Sequence, residues 1–290
     1  MTNGPFDKLA GLCRRAMGDL AGLYRWLIGR PSYMLLTAGE SRLAAAEPSR
    51  FVWAWFGLAL QSVAWGALLV CVWNLSWGLF GDVPVGRYAA LNPSLQLLPA
   101  LAAAAVIVLW PFRRAAASCA DLLGGADAGI RAMVSAIEVL LLTLALVAMK
   151  SRQVSEAQLP PQFWGVRPDL DACRALMLMP LWGVWGILIT SQFCKPCSDT
   201  EGPVAAFARG CGPATAAFCL VLPLGATWYS FHFLGMWQHW TMSISTAVCA
   251  IAAGVIFCRI GGGLSRRTLL ATSMMTQLAF MLAVLAATNA

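Results

Sequence analysis

Acidic residues are scarce. The chain holds 13 Asp and Glu against 20 Lys and Arg in 290 residues, and charged residues make up only 11%, where soluble domains carry about 25%. So little charge cannot clothe a water-facing globular surface. Histidine is scarcer still, with only His232 and His239. Seven positions apart, on one helix they would share a face about 10 Å apart. That spacing neither sandwiches a haem nor closes a metal site, and the neighbouring Trp237 and Trp240 favour a membrane-interface setting. There is no P-loop, no G-x-S-x-G and no H-E-x-x-H. No lysine lies deep in an apolar run, so a retinal-type Schiff base has no amine. No apolar run follows the first residues where a secretory signal would carry one.

What the chain has instead is long apolar runs. Hydrophobic residues make up 59% of the sequence and the mean hydropathy is +0.70. A bilayer core about 30 Å thick needs roughly 20 apolar residues per helical span. Barrel strands would alternate over about ten residues, and these runs do not. The fold class expected is therefore all-α: a polytopic transmembrane helix bundle of about seven spans. They are placed near 51–79, 93–112, 132–149, 175–193, 212–236, 241–258 and 268–288. Trp53, Trp55, Trp73 and Trp77 read as interfacial markers at the ends of the first. Trp237 to Trp240 reads as the tight turn between the fifth and sixth.

Residues 1–50 form a separate region. Leu9, Leu12, Ala16, Leu20, Leu23 and Leu27 recur at helical spacing over 6–28, with Lys8, Arg14, Arg15 and Arg25 off that stripe. Such a helix lies on an anionic membrane surface or packs on the protein's own loops. Pro31 ends it, and 31–50 is a mixed linker before the bundle at 51–290. The net charge of +7 is spread over several loops, so it reads as membrane anchoring and not as a nucleic-acid surface. A cytoplasmic N-terminus puts 15 of the 20 Lys and Arg inside, which the positive-inside rule favours. Lys150, Arg152, Arg167 and Arg174 fall on the other side. This orientation places 111–131, 194–211 and 259–267 together on the cytoplasmic face of a cell inner membrane, with lipid as the first partner.

The candidate chemistry gathers there. Between Trp110 and Lys150 the chain leaves one apolar segment and crosses a short loop with Arg113, Arg114, Asp121, Asp127 and Arg131. It then enters a helix with Glu138 inside it. Glu138 lies about 10 Å along that helix from Arg131. Unpaired at that depth it costs about 2–3 kcal/mol, so it should face the bundle or a wet cavity. Asp121 and Asp127, with Gly124, Gly125 and Gly129, form an acidic, glycine-bearing loop. It reads either as a solvated turn balanced by arginines or as a Mg²⁺ site completed by phosphate oxygens. Arg113 and Arg114, with Arg266 and Arg267 in the RIGGGLSRR turn, would then clamp a phosphate-bearing small molecule. Cys194-Lys195-Pro196-Cys197 is a C-x-x-C without the second pair zinc requires. It reads as an incidental pair or a redox pair. Cys71, Cys219, Cys249 and Cys258 sit in or at the ends of apolar runs, as small apolar groups.

Parts of the second half resemble the adenosylcobinamide-GDP ribazoletransferase (cobalamin synthase) family. Ile260-Gly261-Gly262, followed after one extra glycine by Ser265 to Ala271, resembles that family's C-terminal signature. Glu201-Gly202 with Phe207 resembles its E-G-x-x-x-x-F stretch. Asp121, Leu123 and Gly129 match its aspartate motif, which falls on Cys119 to Gly129. Cys119 stands at the motif's histidine, Gly125 and Ala128 at its further aspartates, and Arg267, Met274 and Gln277 at its C-terminal acids. Residues 1–50 are not covered. The resemblance implies a polytopic inner-membrane transferase of cobalamin biosynthesis. Such an enzyme joins a nucleotide-activated corrinoid to a ribazole with Mg²⁺, and this chain lacks most of the metal-binding acids. Two other classes fit the same residues. One is a transporter or channel subunit with Glu138 in a polar path, joined by Gln61, Asn74 and Gln277. The other is a non-catalytic scaffold whose small residues, such as Ala100 to Ala105, let helices pack closely.

Overall fold

The computed structural model describes residues 48–80, 93–109, 113–124, 127–153, 170–195, 197, 204 and 212–289. The amphipathic helix expected over 6–28, most of the 31–50 linker, and Glu201, Gly202 and Phe207 lie outside these residues. Eight helices are described: α1 Pro48–Phe80, α2 Pro93–Leu109, α3 Arg113–Gly124, α4 Ala128–Gln153, α5 Leu170–Phe193, α6 Pro213–Ser230, α7 Met236–Ile260 and α8 Arg266–Asn289. Four stretches are long and apolar enough to cross a membrane: Ala128–Met149, Asp171–Phe193, Met236–Ile260 and Arg266–Thr288. The pair α2–α3 adds a fifth if it crosses as one bent unit. The chain is thus a helical membrane protein.

The bundle is organised around α5. It packs against α1, α6, α7 and α8, and 78% of its span is buried against 39% for the spans in α4 and α7. Small residues set these approaches. Gly66 of α1 lies on the backbone of Met177, and Gly183 and Gly186 of α5 lie under Gln277 and Thr276 of α8. Gly254 of α7 lies under Thr190. Without a hydrophobic drive between helices in lipid, such close contact is what association has to work with. At the centre Trp182 stacks on Phe280 with centroids 5.8 Å apart, and its Nε1 donates to Thr227 Oγ1 at 3.0 Å. One buried ring thereby ties α5, α8 and α6 together. Five buried threonines on the spans are satisfied within their own helices. Thr143, Thr190, Thr246, Thr272 and Thr276 each donate to the carbonyl four residues back, as a water-free interior demands.

Four local readings of the sequence are corrected. Residues 113–124, read as part of a short loop, form α3, which turns 73° from α2. Ala115, Ala116, Cys119 and Ala120 are its buried stripe, and the first glycine arrives only at its last residue, Gly124. The turn placed at Trp237 to Trp240 instead spans 231–235. Gln238 Oε1 accepts from the Gly235 N–H at 2.8 Å, which starts α7 at Met236 and makes those tryptophans helical. His232 is consequently in the turn and His239 on the helix, so they share no helical face. Trp73 is fully buried and meets Trp77 edge-on at 5.7 Å, so it is core and not an interfacial marker.

Candidate functional site

Three segments distant in sequence meet at one end of the bundle. The first is the α3–α4 turn. Asp127 is the N-cap of α4: its Oδ1 accepts the Gly129 N–H at 2.9 Å, satisfying an otherwise unbonded donor of the first turn. Asp121, on α3, receives both Nε and Nη2 of Arg131 on its Oδ1 at 2.7 Å. The acidic loop expected from the glycines is therefore a capped helix start next to an ion pair.

The second segment is the α7–α8 turn. Gly262 and Gly263 have φ of 71° and 138°, conformations only glycine adopts without strain. They reverse the chain within four residues, and the Gly263 N–H reaches back to the Cys258 carbonyl at 2.8 Å. Ser265 then opens α8 through a reciprocal cap. Thr268 Oγ1 accepts the Ser265 N–H at 2.8 Å and Ser265 Oγ accepts the Thr268 N–H at 3.3 Å, the capping-box arrangement with a threonine in the usual Glu position. The glycines and the serine of this turn are thus accounted for by geometry.

The third segment follows α5. The Leu264 N–H donates to the Lys195 carbonyl at 2.7 Å and the Cys197 N–H to the Leu264 carbonyl at 3.2 Å, a short bridge between two turns. Beside it Cys194 is disulfide-bonded to Cys258, and Cys197 is a free thiol. The C-x-x-C is therefore not a pair with itself, and Cys258 is not merely a small apolar group. The bond could not be read from spacing, because its halves lie 64 positions apart. The available signal was that both cysteines end helices on one face.

Asp121 and Leu122 of α3 and Gly261, Ser265, Arg266 and Arg267 of the α7–α8 turn line one open cavity of about 520 Å³. Leu122 also reaches within 3.1 Å of the Cβ position of Gly261. Asp121 is paired with Arg131, Arg266 and Arg267 bring two guanidinium groups to the cavity, and the first turn of α8 adds the positive end of its dipole. The cavity wall is electrostatically suited to an anion. Arg113 and Arg114 are exposed at the start of α3, and neither they nor Asp127 line this cavity. The predicted site residues thus divide: Asp121, Arg266 and Arg267 come together, while Arg113, Arg114 and Asp127 do not join them.

Below the cavity, Glu138 is buried on α4 at 3% exposure. It faces the bundle, as the cost of an exposed charge there demands. The buried thiol of Cys119 on α3 lies within electrostatic reach of it, and Glu138 Oε2 has no hydrogen-bond partner among the described residues. Gln277 is also buried, but its Nε2 donates to Ser273 Oγ at 3.1 Å and it packs over Gly183.

In this structure both carboxylates have protein partners. Asp121 is held by Arg131 and Asp127 by a helix N-terminus, and among the described residues no three His, Cys, Asp or Glu side chains gather to hold a metal. Comparisons of the chain with protein-family models, curated proteins and solved structures found no match.

Proposed function

We propose that the protein is a multi-pass membrane protein that binds a phosphate-bearing small molecule in the cleft between α3 and the α7–α8 turn. The observation that carries this reading is the single cavity shared by Asp121, Arg266 and Arg267. In this proposal Arg266 and Arg267 hold the phosphate oxygens. The start of α8 adds its dipole, and Asp121 keeps Arg131 at the rim. Phosphate recognition by paired guanidiniums is charge-assisted and geometrically specific. The family resemblance agrees in ligand chemistry, since its substrates are nucleotide-activated, but the acids a transfer reaction needs are replaced here. The proposal therefore stops at binding and derives no transfer step. We place this face in the cytosol, with seven crossings, on the distribution of Lys and Arg.

The test is calorimetric titration of the purified full chain with inorganic pyrophosphate. Arg266→Ala and Arg267→Ala are each expected to weaken binding by about tenfold to a hundredfold, the 1.5–3 kcal/mol of a charged hydrogen bond. Arg113→Ala with Arg114→Ala should leave it unchanged. Equal binding by all variants, or none by the wild type, overturns the proposal.

A second reading rests on Glu138, whose buried Oε2 lacks a partner among the described residues. Intramembrane carboxylates commonly serve proton or cation paths. In that reading Glu138→Gln abolishes proton flux into proteoliposomes, measured with a pH dye, while pyrophosphate binding is kept. Equal flux in both proteins removes it.

A further inference from the structure

The α7–α8 turn borders a second cavity, of about 320 Å³, on the side of α5. Phe193 and Lys195 line it from the end of α5, and Val255 and Arg259 from the last turns of α7. The Cys194–Cys258 bond and the backbone bond from Leu264 to Lys195 hold these ends together. Three observations give the cavity a ligand chemistry.

The first is charge. Lys195 and Arg259 are both exposed, and among the described residues no acid lines the cavity. Two helices end here, and each brings the negative pole of its dipole, roughly half a charge. The two full cationic charges outweigh the two poles. The carbonyls of Phe257, Cys258 and Lys195 already accept the N–H groups of Gly261, Gly263 and Leu264, so they do not need the basic side chains. The cavity is left suited to an anion, and the ammonium of a zwitterion meets no carboxylate among these lining residues.

The second is depth. The apolar spans of α5 and α7 end at Phe193 and Ile260. Lys195 and Arg259 sit at those ends, the level at which basic side chains on membrane helices reach the headgroups.

The third is what lies below the charges. Val255, Ala252 and Val248 follow Arg259 along one face of α7, three or four positions apart. Val255 is half-buried, and Ala252 and Val248 are exposed. From Arg259 to Val248 this face runs about 16 Å at 1.5 Å per residue. That is close to half of a roughly 30 Å core, the depth of one leaflet. A water-soluble anion has no use for such a face, whereas an acyl chain does.

We propose that this cavity binds the headgroup of an anionic phospholipid. Lys195 and Arg259 hold its phosphate, and an acyl chain lies along Val255, Ala252 and Val248. The site is separate from the basic cavity against α3 and does not rest on what that cavity binds.

The test is native mass spectrometry of the full chain in detergent. Phosphatidylglycerol and phosphatidylcholine with the same acyl chains are supplied together in equal amounts. The wild type is expected to retain phosphatidylglycerol at least about tenfold more than phosphatidylcholine, given the attraction each basic side chain adds near an anionic headgroup. Lys195→Ala with Arg259→Ala should bring that ratio to about one. Arg113→Ala with Arg114→Ala removes the same charge from α3, outside the cavity, and should keep the wild-type ratio. Glycerol phosphate, a headgroup without chains, should not displace the lipid even in large excess. An absent preference in the wild type, an unchanged ratio in the Lys195 and Arg259 pair, an equal loss in both pairs, or displacement by glycerol phosphate overturns the proposal. Equal loss would mark diffuse attraction to the basic face, and displacement a site for a soluble phosphate. If the Lys195 and Arg259 pair fails to fold, Lys195→Gln and Arg259→Gln singly are each expected to lower the ratio about fivefold, and no change in either overturns it.

Discussion

In oxidised protein Cys258→Ser is expected to lower the unfolding free energy by about 2–4 kcal/mol, the usual contribution of a disulfide closing a loop of this length. The bond joins Cys194 and Cys258 across 64 positions and ties the ends of α5 and α7 beside the Lys195–Leu264 bridge. Urea unfolding of the wild type with and without dithiothreitol should reproduce the loss, and the reductant should do nothing to Cys258→Ser. An unchanged midpoint on reduction would show that these ends hold without the bond. The same cysteines test the orientation. Cytosolic thiols are kept reduced, so a basic face on the inside requires Cys194 and Cys258 to be thiols in growing cells. Acid trapping and alkylation are expected to label both. Protection of the pair in intact cells would turn the basic face outward, against the count of Lys and Arg.

The second large effect is at Gly66. A Cβ there would overlap the backbone of Met177, and backbone cannot rotate away as a side chain can. Gly66→Val is expected to cost about 3 kcal/mol or more, at or beyond the upper end of overpacking penalties, and to separate α1 from α5. Gly225→Ala is the control. It meets open space and should be neutral or gain up to about 1 kcal/mol of helix propensity. Thermal melts of the two purified variants give the comparison. Equal melting temperatures would mean that α1 does not rest on α5 at this point.

The helical class was legible from run length and from the rarity of charge, because lipid imposes both directly. The sequence also grouped 111–131, 194–211 and 259–267, and the structure brings α3, Lys195 and the α7–α8 turn together at one end. The character of 113–124 was obscured by its flanks. Pro111, the arginine pair and the Gly124-Gly125 step read as loop punctuation, while Ala115, Ala116, Cys119 and Ala120 carried the helical spacing. The roles of Asp121 and Asp127 needed coordinates. A carboxylate on a cap and one on an ion pair look the same in sequence as two metal ligands. That α5 is central was not legible, since every span is similarly apolar. Its place depends on which glycines face which neighbours. His239 was expected beside Trp237 and Trp240, but its stacking on Trp228 arises from a turn whose position the sequence did not resolve.

The two walls of the basic cavity come from different elements. One wall, bearing Arg266 and Arg267, is the start of α8, which is packed on both α5 and α7. The other is α3, twelve residues long and set at 73° to α2, with Arg131 latching Asp121 at the rim. Because α3 itself packs on α4 and α8, the cavity is framed on both sides by helix packing.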